Sequence, residues 1–254
     1  AELRQQAIFL HSQKLDDESV DILLDLAHRN PDPDPEVREQ AVFWLSQVQS
    51  DEALDALEDI LRESEDTEIQ ESALFAISRH GSGRGVEILK GYVERPGVPA
   101  DLRANAVFFL GQSAGGAEYL RSIFGSLEEP DLKENALHAI AQSGDDASRA
   151  WLVERARDRS EDIEVRTNAL FWAGQSGAFT IDELRDLFQS FRDPEMREQL
   201  VFAASQRDEA EAVDFLMEIA EDPENGELRE QAIFWLGQSD DPRVAEFLLR
   251  IIGR

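Results

Sequence analysis

The 254-residue sequence has 54 acidic and 25 basic residues, which gives a formal net charge of −29 at pH 7. Nucleic acid is a poor partner for such a chain, because phosphate backbones bind to positively charged surfaces. The absence of cysteine excludes disulfide bonds, thiolate metal sites and cysteine nucleophiles. There is no apolar run of about 18 residues, so no transmembrane segment is predicted.

An eleven-residue segment recurs eight times along the chain. Its copies are LRQQAIFLHSQ from Leu3, VREQAVFWLSQ from Val37, IQESALFAISR from Ile69, LRANAVFFLGQ from Leu102, LKENALHAIAQ from Leu132, VRTNALFWAGQ from Val165, MREQLVFAASQ from Met196 and LREQAIFWLGQ from Leu228. Successive copies lie 30 to 34 residues apart, which indicates an array of repeated units. The predicted repeats start near residues 2, 35, 67, 99, 130, 162, 194 and 226.

Each repeat is predicted to contain two amphipathic helices. Between the copies lie stretches such as EALDALEDILRES from Glu52, TIDELRDLFQSF from Thr180 and EAEAVDFLMEIAE from Glu209. Their apolar residues recur at helical spacing, and the prolines fall between helices or in their first turns. Because one short helix pair cannot bury enough apolar surface, each pair must stack on the next.

The segment DPEVREQAVFWL, from Asp34 to Leu45, resembles HEAT repeats of the short bacterial type that also occur in bilin-lyase-like proteins. The resemblance covers essentially the whole chain. It implies an all-α, right-handed solenoid of about eight helix pairs, in which the Val-Arg helix lines the concave side. We expect one such domain over residues 1–254. Since the chain begins with Ala1 rather than Met, we expect a segment of a longer chain or a processed product.

Angular position on the second helix separates core residues from outward-facing ones. At 100° per residue from Ala41, Val37 and Leu45 point to the core. The next position alternates between large and small side chains, as packing between neighbouring repeats requires, and we predict that it is also core: Trp44, Ala76, Phe109, Ala139, Trp172, Ala203 and Trp235.

Phe43 lies at roughly 200°, opposite the core, and its equivalents form what we call the Phe column: Phe9, Phe43, Phe75, Phe108, His138, Phe171, Phe202 and Phe234. Two interpretations stay open. Either curvature tips each ring onto the next helix and extends the core, or the rings are exposed and bind a partner.

Two polar columns are predicted to flank the aromatic one. One turn further lies the Gln column, which is broken only by Arg79: Gln13, Gln47, Gln112, Gln142, Gln175, Gln206 and Gln238. Acidic residues point to the same side and form the Glu column: Glu39, Glu71, Glu134, Glu198 and Glu230. A groove lined in this way would attract a cationic partner.

Two further columns are given a structural role. Amides and one serine on the flank are expected to hydrogen-bond the neighbouring repeat rather than a ligand: Gln6, Gln40, Ser72, Asn105, Asn135, Asn168, Gln199 and Gln231. The resemblance implies that the cations of a second column pair with carboxylates of neighbouring repeats: Arg4, Arg38, Arg103, Lys133, Arg166, Arg197 and Arg229.

Residues that could carry catalysis or hold a metal are not grouped in the sequence. The four histidines lie in different repeats without metal-binding spacing. HEAT-type hydroxylases that bind di-iron carry His-Glu dipeptides, and no histidine here precedes a glutamate. We therefore predict no catalytic residues, no metal and no cofactor.

The sequence predicts a non-enzymatic scaffold that binds a protein or peptide in an acidic groove lined by Phe and Gln. One alternative is assembly with neighbouring subunits through open ends, where Phe247, Leu248, Ile251 and Ile252 would make the contacts. A second, from a different class, is an enzyme of the bilin-lyase type.

Overall fold

The structure is a computed structural model, and it describes residues 17–29, 31–80 and 82–252. Regular structure in these residues is entirely helical, which confirms the predicted all-α class. Fifteen α-helices follow one another: α1 (Asp17–Leu24), α2 (Pro35–Leu45), α3 (Asp51–Glu63), α4 (Thr67–Arg79), α5 (Gly83–Glu94), α6 (Ala100–Gly111), α7 (Gly116–Ile123), α8 (Pro130–Gln142), α9 (Asp146–Arg157), α10 (Ile163–Gln175), α11 (Ile181–Ser190), α12 (Pro194–Ser205), α13 (Ala210–Glu221), α14 (Glu227–Leu236) and α15 (Arg243–Ile252). None of these helices has the length and apolar character needed to cross a membrane.

The even-numbered helices are the second helices of the predicted repeats. They start at residues 35, 67, 100, 130, 163, 194 and 227, each within one residue of the predicted repeat start. Aspartate side chains cap three of them by accepting hydrogen bonds from first-turn N–H groups, at Asp34, Asp66 and Asp162. Prolines occupy the first turn of α2, α8 and α12, where a missing N–H group costs nothing.

The helices form two compact units, Ala1–Ser143 and Gly144–Arg254. Within the first unit, α2 packs on α4, α4 on α6 and α6 on α8, while α1 packs on α3. Within the second unit, α10 packs on α12 and α12 on α14, while α11 packs on α13 and α13 on α15. Each unit is thus a stack of helix pairs, as in an α-solenoid. The single continuous domain, the right-handed superhelix and the count of eight pairs stay predictions.

The core of each unit lies between its two rows of helices. Val37, Ala41 and Leu45 of α2 are fully buried, as their angular positions predict. The tryptophans are an exception, since Trp44, Trp172 and Trp235 are only partly buried. The prediction that they are core is therefore confirmed only in part, since each tryptophan keeps some contact with solvent.

Small residues bring neighbouring second helices into close contact. A Cβ atom added to Gly111 of α6 would lie 2.7 Å from the Cβ of Ala139 in α8. A Cβ atom added to Gly174 of α10 would lie 3.1 Å from the Cβ of Ala203 in α12. The helices can approach this closely only because glycine faces alanine.

Arginines of the second helices join successive repeats, as the resemblance implied. Arg38 donates to the backbone oxygen of Asp32 at 3.0 Å and to the Asp66 carboxylate at 2.8 Å. Arg166 repeats the pattern with the Ala156 oxygen at 3.2 Å and the Asp193 carboxylate at 3.6 Å. Each arginine therefore links the segment that precedes its own helix to the loop that begins the next repeat.

Candidate functional site

The Phe column reaches solvent at four of its described positions, so the rings at these positions do not belong to the core. Phe43 is 52% exposed, Phe75 50%, Phe108 46% and Phe234 59%. Phe171, Phe202 and His138 are partly buried. The outward orientation therefore holds at the four exposed rings, and the partner-binding role of the column stays a prediction.

Each exposed ring is also braced by another aromatic ring. Phe43 packs edge-on against Trp44, with centroids 5.2 Å apart, and Phe234 packs in the same way against Trp235 at 5.1 Å. Phe75 lies 6.0 Å from Phe109 of the next repeat. The exposed rings are therefore held by aromatic neighbours while about half of each residue stays exposed to solvent.

In the second unit, two members of the Phe column pack against each other. The rings of Phe171 and Phe202 are stacked, with centroids 6.0 Å apart and planes inclined by 16°. Phe202 also contacts Trp235 at 5.7 Å. This stacking is why the two rings are less exposed than those of the first unit.

The Gln column lies along the same side as the phenylalanines, and its members in the described part of the chain are exposed: Gln47, Gln112, Gln142, Gln175, Gln206 and Gln238. The side chains of Gln112, Gln175 and Gln238 make no hydrogen bond with any described residue. Gln47 donates to the Ser46 hydroxyl at 2.9 Å, and Gln142 contacts the His138 ring at 3.1 Å. Several amides are therefore available to a partner.

The Glu column is exposed at Glu39, Glu71, Glu134 and Glu230 and partly buried at Glu198. Glu39 and Glu71 line a groove of about 640 Å³ between α2 and α4, together with the rings of the first two described phenylalanines; the full lining is Glu36, Glu39, Gln40, Phe43, Ser46, Glu71, Ser72, Phe75 and Ala76. The predicted combination of aromatic rings and carboxylates therefore occurs in one groove of the first unit.

A second hollow of about 470 Å³ lies between α10 and α12 in the other unit. Phe171 and Phe202 form one wall, and Arg207 with Asp208 and Glu209 lies at one side. Arg207 is already engaged, since it donates to the Phe179 backbone oxygen at 2.6 Å and lies 3.7 Å from Glu209.

Within the described residues, no flanking amide hydrogen-bonds a neighbouring repeat, so that interpretation is wrong for these members of the column. Asn135 donates to Asp131 in its own helix at 2.8 Å. The side-chain oxygens of Gln40 and Gln199 are buried without a hydrogen-bond partner, and these two residues line the two hollows. The inter-repeat contacts are made instead by arginines two positions earlier, such as Arg38 with Asp66 and Arg166 with Asp193.

Some predicted site residues lie outside this description or behave differently from the prediction. Phe9 and Gln13 fall outside the described residues. Phe247 does not meet a neighbouring subunit, because it is buried within its own chain, where α15 packs on α13. Leu248 and Ile251 are partly buried and Ile252 is 80% exposed, so end contacts stay a prediction for these three.

Two residues with shifted pKa values lie on first helices of the repeats. Hydrogen bonds from the Thr180 backbone N–H and hydroxyl lower the pKa of Glu183 at the start of α11. Burial, assisted by a hydrogen bond to Glu94, raises the pKa of Tyr119. In the described part of the chain, no three His, Asp or Glu side chains are grouped so as to hold a metal ion.

A family model and two solved structures are similar to this chain. A family model of HEAT repeats matches residues 1–78, 157–237 and 181–254. A comparison with curated proteins finds no match. The structure of human deoxyhypusine hydroxylase in complex with glycerol is 18% identical, with a TM-score of 0.37, over 92% of this chain and 97% of that chain. The complex of CpcE and CpcF of phycocyanin lyase from Nostoc sp. PCC7120 is 18% identical, with a TM-score of 0.41, over 90% of this chain and 92% of that chain.

Proposed function

This chain belongs to the HEAT-repeat family, and we propose that it is a non-enzymatic scaffold that binds a polypeptide partner along its Phe, Gln and Glu columns. The observation that carries this proposal is the half-exposed Phe column. Aromatic rings held in place by neighbouring rings lose little freedom when a partner covers them. Rigid aromatic anchors of this kind dominate binding energy in protein interfaces.

The exposed aromatic area has the size of a functional patch. A fully covered aromatic side chain buries about 150–250 Å², so three half-exposed rings of the first unit leave roughly 200–400 Å² open. The largest apolar patch on a typical monomer is about 300–600 Å² and is often functional. We infer that the rings form an interaction surface.

Aromatic burial alone does not give stable binding. Covering about 300 Å² contributes roughly 7 kcal/mol at 25 cal/mol/Å², whereas association costs about 4–15 kcal/mol. Polar contacts have to supply the remainder. The amides of Gln112, Gln175 and Gln238 can donate to and accept from an extended backbone.

Binding, rather than catalysis, matches the chemistry of this surface. Its polar groups are amides and carboxylates, and the described residues place no nucleophile beside a base along the Phe column. Carboxylates at Glu39 and Glu71 favour a partner with positive charge, since they raise its local concentration. The proposed partner is accordingly a protein or peptide with basic residues.

Affinity capture with the purified chain tests this proposal. The chain and its Phe108→Ala/Phe171→Ala/Phe202→Ala variant are immobilised and exposed to lysate of the source cell, and retained proteins are identified by mass spectrometry. We expect one protein to be retained by the parent chain and lost with the variant, while the helical circular dichroism of the variant is unchanged.

A matched variant separates this surface from the chain's end. Leu249 and Ile252 are 70% and 80% exposed on α15, so Leu249→Ala/Ile252→Ala removes apolar area away from the Phe column. Retention of the partner by this variant supports the proposal. Loss with the α15 variant and retention by the triple-Phe variant would favour assembly through the end instead.

A further inference from the structure

The groove between α2 and α4 combines two aromatic rings with three carboxylates, and no lysine or arginine is among the described residues that line it. We propose that this groove binds the guanidinium group of an arginine side chain carried by the polypeptide partner. The inference rests on the proposed scaffold function and assigns to it a specific subsite. The volume of about 640 Å³ lies within the range of about 300–1,000 Å³ usual for small-ligand sites.

Two of the carboxylates in the groove have no side-chain cation as a partner among the described residues. Glu39 and Glu71 form no ion pair with any described residue. The neighbouring cation on α2, Arg38, is engaged by Asp66 and by the Asp32 backbone oxygen. An incoming guanidinium therefore meets two carboxylates that are not already neutralised by a side-chain partner, and charge-assisted hydrogen bonds to carboxylates are among the strongest in proteins.

The aromatic rings favour a flat cation. A guanidinium within about 6 Å of a ring centroid is attracted to the face of the ring. The chain itself uses this contact elsewhere, since the Arg197 guanidinium lies 3.9 Å from the Phe188 centroid. Phe43 and Phe75 are braced from the side by other rings, which leaves the rest of each ring to line the groove.

The donors of a guanidinium match the carboxylates of the groove. A guanidinium carries five N–H donors in one plane and accepts no hydrogen bond. It can therefore donate to the Glu39 and Glu71 carboxylates while its plane stacks on a ring, which the compact ammonium of lysine cannot do.

The corresponding hollow of the second unit, between α10 and α12, differs from this groove. Phe171 and Phe202 are already stacked at 6.0 Å, which leaves no space for a flat group between them. Their hollow contains its own cation, Arg207, which lies 3.7 Å from Glu209. The same residue types therefore produce an occupied arrangement in one unit and an open groove in the other.

Titration with defined peptides tests the inference on the full chain. The probes are two fluorescein-labelled decapeptides, one with alternating Arg and Gly and one with alternating Lys and Gly. Their affinities are measured by anisotropy at about 0.15 M salt, where the Debye length is about 8 Å and distant charges are screened. The variants are Phe43→Ala/Phe75→Ala and, as the control, Leu249→Ala/Ile252→Ala, which removes two exposed apolar side chains of α15 that lie outside the Phe column. Neither changes the net charge, so non-specific attraction to this acidic chain is the same in both.

We expect the Arg peptide to bind the parent chain more tightly than the Lys peptide. The Phe43→Ala/Phe75→Ala variant should raise the Kd of the Arg peptide about tenfold, as the loss of two cation–aromatic contacts requires. The control variant should change it less than twofold. Glu39→Gln/Glu71→Gln should weaken the Arg peptide more than the same double change at Glu134 and Glu230. Circular dichroism checks that every variant is folded.

Equal weakening by Phe43→Ala/Phe75→Ala and by the α15 control, no effect of Phe43→Ala/Phe75→Ala, equal affinity for the two peptides, or no binding of the Arg peptide would each overturn the inference. These outcomes leave the scaffold proposal standing if lysate capture still depends on Phe108, Phe171 and Phe202. If partner capture from lysate does not depend on those three residues, the scaffold proposal itself fails.

Discussion

Replacing Phe43 by Ala should cost much less stability than replacing a buried phenylalanine of the same unit. Phe43 is 52% exposed, whereas Phe124, in the short helical turn after α7, is 1% exposed. Removing a buried phenylalanine side chain costs about 3–5 kcal/mol, in part because a cavity remains. Only half of the Phe43 ring leaves water on folding, and its removal opens a surface that water can fill. We therefore expect a loss of about 1–2 kcal/mol for Phe43→Ala and about 3–5 kcal/mol for Phe124→Ala.

Urea denaturation followed by circular dichroism measures both losses. The two positions lie in the same compact unit, so their transition midpoints can be compared directly. If Phe43→Ala destabilises as much as Phe124→Ala, the ring is part of the core, and the interpretation of the Phe column as a binding surface is refuted.

Three further predictions concern packing, helix capping and pH. Gly111→Ala should destabilise the first unit by about 1–3 kcal/mol because the new methyl group collides with Ala139. Gly91→Ala meets nothing within 4 Å and should stabilise the unit by about 0.5–1 kcal/mol. Urea denaturation of both variants measures whether the free energy of unfolding falls in the first and rises in the second. Thr180→Ala should cost about 1 kcal/mol near neutral pH, because the threonine and Glu183 form a capping box at the start of α11. The folded-state pKa of Glu183 is lowered, so its stabilisation is complete above the ordinary glutamate pKa and is lost as the pH falls through the lowered value. The difference between Thr180→Ala and the parent chain should accordingly shrink in acid, and a difference that grows on acidification would contradict this capping interaction.

The repeat pattern was sufficient to predict the helices and the direction of the Phe column. Both follow from local rules: Asp and Pro mark the helix starts, and a fixed angle of 100° per residue separates Ala41 from Phe43. The exposed fractions of Phe43 and Phe75 agree with that angle. Periodicity therefore carries information about orientation as well as secondary structure.

Features that depend on distances between repeats could not be predicted in this way. Phe171 and Phe202 occupy the same sequence position as Phe43 and Phe75, yet only the first two stack on each other. Sequence position does not fix the separation of neighbouring helices to the ångström, because it depends on which side chains meet between them. The open groove of the first unit is hidden from the sequence for that reason.

Two other differences concern the flanking amides and the apolar residues of α15. The sequence predicts that the flanking amides join repeats, but arginines make these contacts, as Arg166 does with the Ala156 oxygen and the Asp193 carboxylate. The apolar residues of α15 were assigned together to a subunit contact, yet Phe247 faces the chain's own core while Ile252 faces solvent. A helix with apolar residues around much of its circumference does not reveal from sequence which of them its own chain covers.

Photo-crosslinking from the Phe column tests the proposed scaffold function most directly. p-Benzoylphenylalanine is placed at position 43, 108 or 234 in turn, and at the exposed position 249 as the control, and the chain is irradiated in the source cell. We predict the same polypeptide adduct from all three aromatic positions and none from the control. No adduct from the aromatic positions, or an adduct from position 249 alone, would contradict binding along the Phe column.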